Sequence, residues 1–203
     1  MREVAVTTTD RGNALARLLL RLAGWRVTYQ GTPPGCGVII AYPHTSNWDF
    51  VVGIMAKWST GIPVAFLSKD SLFRVPLLGR FVRFCGGVPV DRSNASGVIN
   101  EMSERLRQAQ ERGERWWLAI APEGTRKKGD GWRSGFYQIA VAAQAPIGLA
   151  YFNFANKEIG VTIFLMPSGD AVADLRQIDH WYLGCAKGKY PDQQAPVRFL
   201  RQR

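Results

Sequence analysis

Short apolar runs alternate with segments of helical periodicity from residue 37 onward. The apolar runs predict strands, at residues 38–42, 63–67, 87–90, 116–121, 146–152 and 161–166. Apolar residues repeating on one helical face predict helices, at residues 48–58, 98–112, 135–143 and about 173–186, with Ser134 capping the third. This alternation is typical of βαβ units. We therefore predict an α/β fold, a single domain with a largely parallel central sheet flanked by helices, over residues 37–186.

Both ends of the chain are basic. Within an N-terminal segment of residues 1–36, residues 13–25 predict an amphipathic helix in which leucines alternate with Arg17 and Arg21, one turn apart. This helix can pack on the domain or lie in a membrane interface with its arginines at anionic headgroups. The tail, residues 187–203, has five basic residues and one acidic residue, which predicts a loosely held extension.

The composition excludes some classes of protein and indicates the charge of the binding partner, but it does not identify that partner. The chain has 203 residues, of which 46% are apolar and 21% charged, so it is neither disordered nor fibrous. A net charge of +10 indicates an anionic partner: nucleic acid, a lipid surface or a phosphorylated metabolite.

Cysteine usage and hydropathy predict the compartment. The cysteines, Cys36, Cys85 and Cys185, are widely spaced, so neither a disulfide framework nor a metal site is expected. No signal peptide and no run of about 18 apolar residues is evident. We expect a cytoplasmic protein that does not cross a membrane.

The most informative polar residues, His44 and Asp49, follow the first predicted strand. Ligands of open α/β folds usually lie at such strand ends. If His44 lies in the turn and Asp49 in the first turn of the next helix, the carboxylate can fix one imidazole tautomer, as a general base requires. However, Ser46 and Asp49 also fit a helix-capping box, in which Asp49 only satisfies backbone donors. The other histidine, His180, has no ligand-like spacing and is interpreted as structural.

Two further stretches can bind an anionic ligand. After the strand at residues 116–121, Gly124 permits a tight turn, Arg126 offers a planar fork for phosphate, and Glu123 can accept a substrate hydroxyl or hold that arginine. Between Lys69 and Arg92, basic residues mix with aliphatic ones, which suits a molecule with one charged and one apolar end. The alternatives are a solvated polar loop and an ordinary packing region.

These three stretches, in this order, resemble the 1-acyl-glycerol-3-phosphate acyltransferases, the PlsC-type lysophospholipid acyltransferase family. The family's His-x-x-x-x-Asp motif falls on His44 and Asp49, and its Glu-Gly-Thr-Arg motif on Glu123–Arg126. The intervening motifs and a weaker fourth block match Lys69, Leu72, Pro76, Gly79, Gly87, Asp91, Arg92 and Pro146. The resemblance covers residues 37–166. Ala121 stands where many relatives have Phe, and only about 36 residues precede the first predicted strand of this region, so a long hydrophobic anchor is not expected.

The resemblance implies direct transfer of an acyl group from acyl-CoA or acyl carrier protein to a lysophospholipid hydroxyl, without a metal or tightly bound cofactor. His44 would be the general base, oriented by Asp49. Arg126, helped by Glu123, Gly124 and Thr125, would hold the acceptor phosphate, and Arg92 and Lys69 would assist. A peripheral location on an anionic, cytoplasmic membrane face is expected, and nucleic acid is not an expected partner.

Three alternatives remain at this point. A covalent route through Cys85 is disfavoured because the thiol lies in an apolar setting. The same chemistry can act on another lysolipid or hydroxyl acceptor. A non-catalytic basic module that binds nucleic acid or a membrane would explain the charge, but would leave the His44–Asp49 spacing without a purpose.

Overall fold

The computed structural model of the protein describes residues 1–91 and 94–200. Within them, strands of one sheet alternate with helices along the chain, as predicted. The strands are β1 (Arg2–Glu3), β2 (Arg26–Tyr29), β3 (Gly37–Tyr42), β4 (Val64–Lys69), β5 (Gly87–Val90), β6 (Trp117–Ile120), β7 (Ile147–Asn153) and β8 (Glu158–Met166). The helices are α1 (Ala14–Leu22), α2 (Trp48–Thr60), α3 (Pro76–Phe84), α4 (Ala95–Glu111), α5 (Gly135–Ala142) and α6 (Ala171–Leu183).

The sheet is largely parallel. Its order is β1-β8-β7-β3-β6-β4-β5, and β2 pairs with β8 beside β1. Strands β3 to β7 run parallel to one another, with Val38 of β3 opposite both Leu118 of β6 and Ile147 of β7. Strand β8 is antiparallel to β7. The predicted fold class is therefore confirmed, and the carboxyl ends of β3, β4, β5 and β6 meet at one edge.

Helices cover both faces of the sheet. Helices α4, α5 and α6 pack over Val38 and Ile40 of β3, where Trp132, Phe136 and Tyr182 complete the largest buried cluster. Helix α2 covers the opposite face, and α1 and α3 flank it. Phe50 of α2 meets Phe66 of β4 with ring centroids 5.5 Å apart, and Trp58 of α2 meets Phe84 of α3 at 5.7 Å. Both layers exclude water from the sheet.

The prediction missed three elements. Strands β1 and β2 are too short for a period of two to stand out, and they are extended because they pair with β8. Helix α3 lies between Lys69 and Arg92, where no helix was predicted, although Pro76 lies at its start, where a missing N–H costs nothing. The predicted Ser134 cap is wrong in its bonding, because its hydroxyl accepts from Gln138 Nε2 rather than from a backbone N–H.

The C-terminal tail is not a loose extension. Its described part packs along the domain, and Ala195 is buried. The Tyr42 hydroxyl donates to the Ala195 oxygen at 2.8 Å, and Leu200 N donates to Trp132 O at 2.9 Å. The prediction counted only charge, but the tail alternates its basic residues with small and apolar ones that fill space beside β3.

Candidate active site

His44 and Asp49 meet at the carboxyl end of β3. The strand ends at Tyr42, the Tyr42–Pro43 peptide bond is cis, and α2 begins at Trp48, so His44 lies in the connecting turn. His44 Nδ1 lies 3.1 Å from Asp49 Oδ2, and the side chains are 25% and 1% exposed respectively. The contact assigns the imidazole proton to Nδ1 and leaves Nε2 with a free lone pair. This arrangement suits a general base.

Asp49 also holds the turn that carries the histidine. Its Oδ2 accepts hydrogen bonds from Thr45 N at 2.7 Å and Ser46 N at 2.8 Å, and its Oδ1 accepts from Ser46 Oγ at 3.1 Å. Ser46 Oγ in turn accepts from Trp48 N at 3.0 Å. Half of the predicted capping box is therefore present, because Asp49 accepts from Ser46 N, whereas Ser46 Oγ accepts from Trp48 N rather than from Asp49 N. The general-base role of the pair stays a prediction. One carboxylate orients the ring and satisfies the backbone around it.

Glu123 joins two distant parts of the chain. It follows β6 and is buried, its Oε2 accepts a short hydrogen bond from His44 N, and its Oε1 accepts one from Ala195 N at 2.9 Å. Each oxygen thus accepts a main-chain hydrogen bond, and Glu123 forms no ion pair with Arg126 among the described residues. Burial raises the pKa of Glu123 to about 7, against the lowering effect of these two hydrogen bonds.

The raised pKa gives a testable effect on stability. Between its ordinary pKa of 4.5 and about 7, Glu123 binds a proton in the folded state but not in the unfolded state. Its contribution to the free energy of unfolding therefore falls as pH rises through this range. Glutamine does not titrate, so the stability of wild type minus that of Glu123→Gln should decrease from pH 4.5 to 7 and then level off. Urea unfolding of both proteins from pH 4 to 8 measures this difference, and a constant difference would contradict the raised pKa.

The other predicted binding residues lie at the same edge or outside the described part. Gly124, with φ of +67°, Thr125 and Arg126 form the exposed turn after Glu123. Lys69 is the exposed last residue of β4, two strand positions from β3, or about 10 Å. Arg92 lies outside the described residues. The structure thus brings His44, Asp49 and Glu123 into direct contact and leaves Arg126 and Lys69 on the surrounding rim.

Sequence reasoning missed Arg133 at this rim. A Cβ atom on Gly124 would lie 2.9 Å from Arg133 Nε, so the guanidinium covers the glycine turn closely. Neither Arg126 nor Arg133 forms an ion pair with a carboxylate in the part of the chain that the structure describes. The signal was weak, because Arg133 stands seven positions beyond Arg126, in a loop without regular periodicity. A guanidinium against the glycine turn, with a second arginine in the turn itself, suits an anionic ligand.

Cys85 is placed as a structural residue. It caps the C-terminus of α3, two residues before β5 begins, and is fully buried. Burial raises the pKa of its thiol despite the nearby Lys57 ammonium. Because the thiolate is the nucleophilic form, this setting disfavours the covalent route.

Among residues 1–91 and 94–200, no three His, Cys, Asp or Glu side chains cluster as metal ligands would. Nor does any helix in that part of the chain have the length and hydropathy needed to span a bilayer.

Known proteins resemble the chain in sequence and fold. Relatives include 1-acyl-sn-glycerol-3-phosphate acyltransferases from Limnanthes alba, 28% identical over 67% of this chain and 48% of that one, and Haemophilus influenzae, 31% identical over 51% and 42%. Lysophosphatidylcholine acyltransferase 2 from Rattus norvegicus is 28% identical over 55% of this chain and 20% of that one. The chain thus spans about half the length, or less, of these curated relatives.

The crystal structure of PlsC, the 1-acyl-sn-glycerophosphate (LPA) acyltransferase from Thermotoga maritima, shares the fold. Its TM-score is 0.56 at 16% identity, over 82% of this chain and 73% of that one. The model of the family described as Acyltransferase matches residues 26–148, which is more than half of the chain and includes His44, Asp49 and the Glu123 turn. On this match, and with the histidine and carboxylate in contact at the open edge of the sheet, the chain belongs to the Acyltransferase family.

Proposed function

We propose that the protein transfers a fatty acyl group from a thioester, on coenzyme A or acyl carrier protein, to the hydroxyl of a lysophospholipid of the 1-acyl-glycerol-3-phosphate type. The observation that carries this proposal is the His44–Asp49 pair, which leaves Nε2 unoccupied at the carboxyl edge of the sheet. The family match and the names of the relatives support the reaction class and the acceptor.

The geometry supports a direct transfer. Nε2 of His44 takes the proton of the acceptor hydroxyl as its oxygen attacks the thioester carbonyl carbon. Asp49 stabilises the imidazolium that forms, through the 3.1 Å contact at Nδ1. The tetrahedral intermediate then collapses, the C–S bond breaks, and the imidazolium returns the proton to the leaving thiolate. One ester bond forms, one thioester bond breaks, and no residue of the chain is acylated.

The rim supplies the positive charge that an acceptor phosphate requires. Arg126 and Arg133 flank the Gly124 turn, where a guanidinium can bind two phosphate oxygens at once. Lys69 adds a charge from the end of β4. Arg92 remains a candidate from the sequence alone and lies outside the described residues. Thr125 is held in the turn by a hydrogen bond from Lys127 N to its Oγ1 at 3.2 Å.

The test is an acyl-transfer assay with purified protein. Labelled acyl-coenzyme A and acyl carrier protein thioesters are offered with lysophosphatidate and with a panel of lysolipids that includes lysophosphatidylcholine. Transfer to lysophosphatidate is the expected result. Transfer only to another acceptor would retain the chemistry and replace the proposed substrate. Absence of transfer to every acceptor, with salt-dependent binding of an oligonucleotide, would favour the basic binding module instead.

A membrane surface is the proposed partner, because the three helices on one side of the sheet carry apolar residues on their outer sides. These residues form what we call the apolar face: Leu15, Leu18, Leu19 and Leu22 of α1, Trp48 and Val51 of α2, and Leu77, Leu78, Phe81 and Phe84 of α3. Leu22 is 76% exposed and Leu77 is 81% exposed. Exposed apolar surface spread over adjacent helices is typical of an interaction site.

The charges of these helices favour an anionic lipid surface over a second copy. Helices α1, α2 and α3 contain Arg17, Arg21, Lys57, Arg80 and Arg83, and their one acidic residue is the buried Asp49. Two copies joined through this face would bring like charges together, whereas each Lys or Arg near an anionic bilayer contributes about 1 kcal/mol. We infer peripheral attachment to an anionic, cytoplasmic membrane face.

Leu22→Ser should weaken binding to vesicles of phosphatidylcholine and phosphatidylglycerol about tenfold, since an exposed leucine gains roughly 1.5–3 kcal/mol on burial. Leu183→Ser is the matched control, because Leu183 is 77% exposed on α6, across the sheet from the apolar face. Co-sedimentation measures both. Equal binding of the two variants would contradict the assignment of the face, and a dimer in gel filtration that Leu22→Ser disrupts would assign the face to a second copy.

A further inference from the structure

Residues 187–195, which we call the C-terminal strap, lie across the edge of the sheet where His44 is located. The strap lies outside the region matched by the family, residues 26–148. It begins beside the end of β7, where Lys187 N donates to Phe152 O at 2.8 Å and Phe154 N donates to Lys187 O at 2.9 Å. The active-site edge therefore has a wall that the family match does not include.

The strap contacts the histidine turn directly. Tyr190 N donates to Thr45 Oγ1 at 3.3 Å. A Cβ atom on Gly188 would lie 2.8 Å from the Thr45 side chain and 3.3 Å from Pro43 Cγ, so a glycine is needed for this close approach. The strap thus packs against the residues on both sides of His44.

The strap also reaches the turn that carries Arg126. With its amide nitrogen turned inward, Gln193 donates to the main-chain oxygens of Thr45, at 3.2 Å, and Arg126, at 2.7 Å. Gln194 Nε2 donates to the Tyr42 hydroxyl at 2.8 Å, and Ala195 N donates to Glu123 at 2.9 Å. One short segment therefore bridges the histidine turn and the guanidinium-bearing turn.

Lys189 is the charged group that the strap brings to this edge. Its Nζ lies 5.0 Å from the ring centroid of Trp48, in the first turn of α2, and 5.9 Å from that of Tyr190. Its side chain is partly buried and forms no ion pair with a carboxylate of the described residues, including Asp192 in its own strap. The rings position the ammonium group, but they accept none of its three conventional N–H hydrogen bonds. A positioned cation with unused donors suits an anionic ligand.

We propose that Lys189 is an anion-binding residue of the active site and contacts a phosphate group of one of the two substrates. This inference rests on the proposed function for the identity of those substrates. The phosphate belongs either to the lysophosphatidate acceptor or to coenzyme A. Trp48 and the strap hold the ammonium group at the start of α2, directly after the histidine turn.

Lys189→Met tests the inference because methionine keeps an apolar side chain against Trp48 and removes only the charge. Lys187→Met is the matched control, since Lys187 is exposed and lies in the same strap. Binding of lysophosphatidate, coenzyme A and inorganic pyrophosphate is measured by calorimetry at low salt. A hydrogen bond to a charged group changes affinity by about tenfold to a hundredfold.

We expect Lys189→Met to weaken binding of pyrophosphate and of one substrate by at least about tenfold, with Lys187→Met unchanged. A loss confined to lysophosphatidate assigns Lys189 to the acceptor, and one confined to coenzyme A assigns it to the donor. If wild type and Lys189→Met bind all three probes with the same affinity, the inference is overturned. The same holds if neither protein gives a binding heat with any probe. Failure of the proposed function is a separate result, absence of acyl transfer by the wild type, and leaves the pyrophosphate comparison intact.

Discussion

Replacing His44 by alanine should lower kcat for acyl transfer by at least about a hundredfold, because general-base catalysis contributes about 10² to 10⁴ in rate. The fold should survive. Glu123 bonds to the main-chain N–H of His44, which the substitution keeps, and the imidazole is partly exposed. Steady-state kinetics with the thioester and acceptor found active in wild type measure the loss, and circular dichroism checks the fold.

His180→Ala is the matched control for this experiment. The chain has two histidines, and His180 lies exposed on α6 without a contact to the site. It should retain wild-type kcat. Near-wild-type turnover by folded His44→Ala would rule out His44 as the base.

Replacing Asp49 should separate catalysis from stability. Asp49→Ala removes the partner of His44 and the acceptor for Thr45 N, Ser46 N and Ser46 Oγ. We expect kcat to fall at least about a hundredfold. Stability should fall by about 1–3 kcal/mol for each buried donor left unsatisfied. Asp49→Asn keeps an acceptor oxygen but loses the charge that stabilises the imidazolium, so it should lower kcat while preserving most of the stability.

The control is another helix-capping aspartate far from the site. Asp170 caps α6 by accepting from Val172 N and Ala173 N. Asp170→Ala should lose about 0.5–2 kcal/mol of stability and no activity. Denaturant unfolding and kinetics on all three variants give the comparison. If Asp49→Asn kept full turnover, Asp49 would be a structural cap alone.

The central parallel strands and five of the six helices in the described part of the chain could be predicted because their signals are local. A buried parallel strand is an apolar run, and an amphipathic helix repeats its apolar residues within one or two turns. The contact between His44 and Asp49 could also be predicted, since five positions separate the residues and a turn followed by a helix brings them together. The sequence left open whether Asp49 caps the helix or contacts His44, and in the structure Asp49 Oδ2 bonds both to Ser46 N and to His44 Nδ1.

The role of Glu123 could not be read from its neighbours. Its partners, His44 and Ala195, lie 79 and 72 positions away along the chain, and neither pairing has a periodic signature. Charge alone suggested an arginine partner. In the structure the Glu123 carboxylate is instead buried between the turn after β3 and the C-terminal strap, and it accepts hydrogen bonds from the main chain of both. A buried carboxylate bonds to the donors that the packing presents.

Local sequence patterns therefore predicted the fold class, the contact between His44 and Asp49 and the basic, glycine-containing turn, because each depends on residues within about one turn or one strand of one another. Long-range packing sets how the outer sides of α1, α2 and α3 combine into one apolar face, which cation the C-terminal strap holds over Trp48, and what Glu123 binds. Those features depend on the order of strands in the sheet and on the path of the chain across its edge. The order of strands and the path of the chain are set by the packing of the whole core, so no short segment of the sequence predicts them.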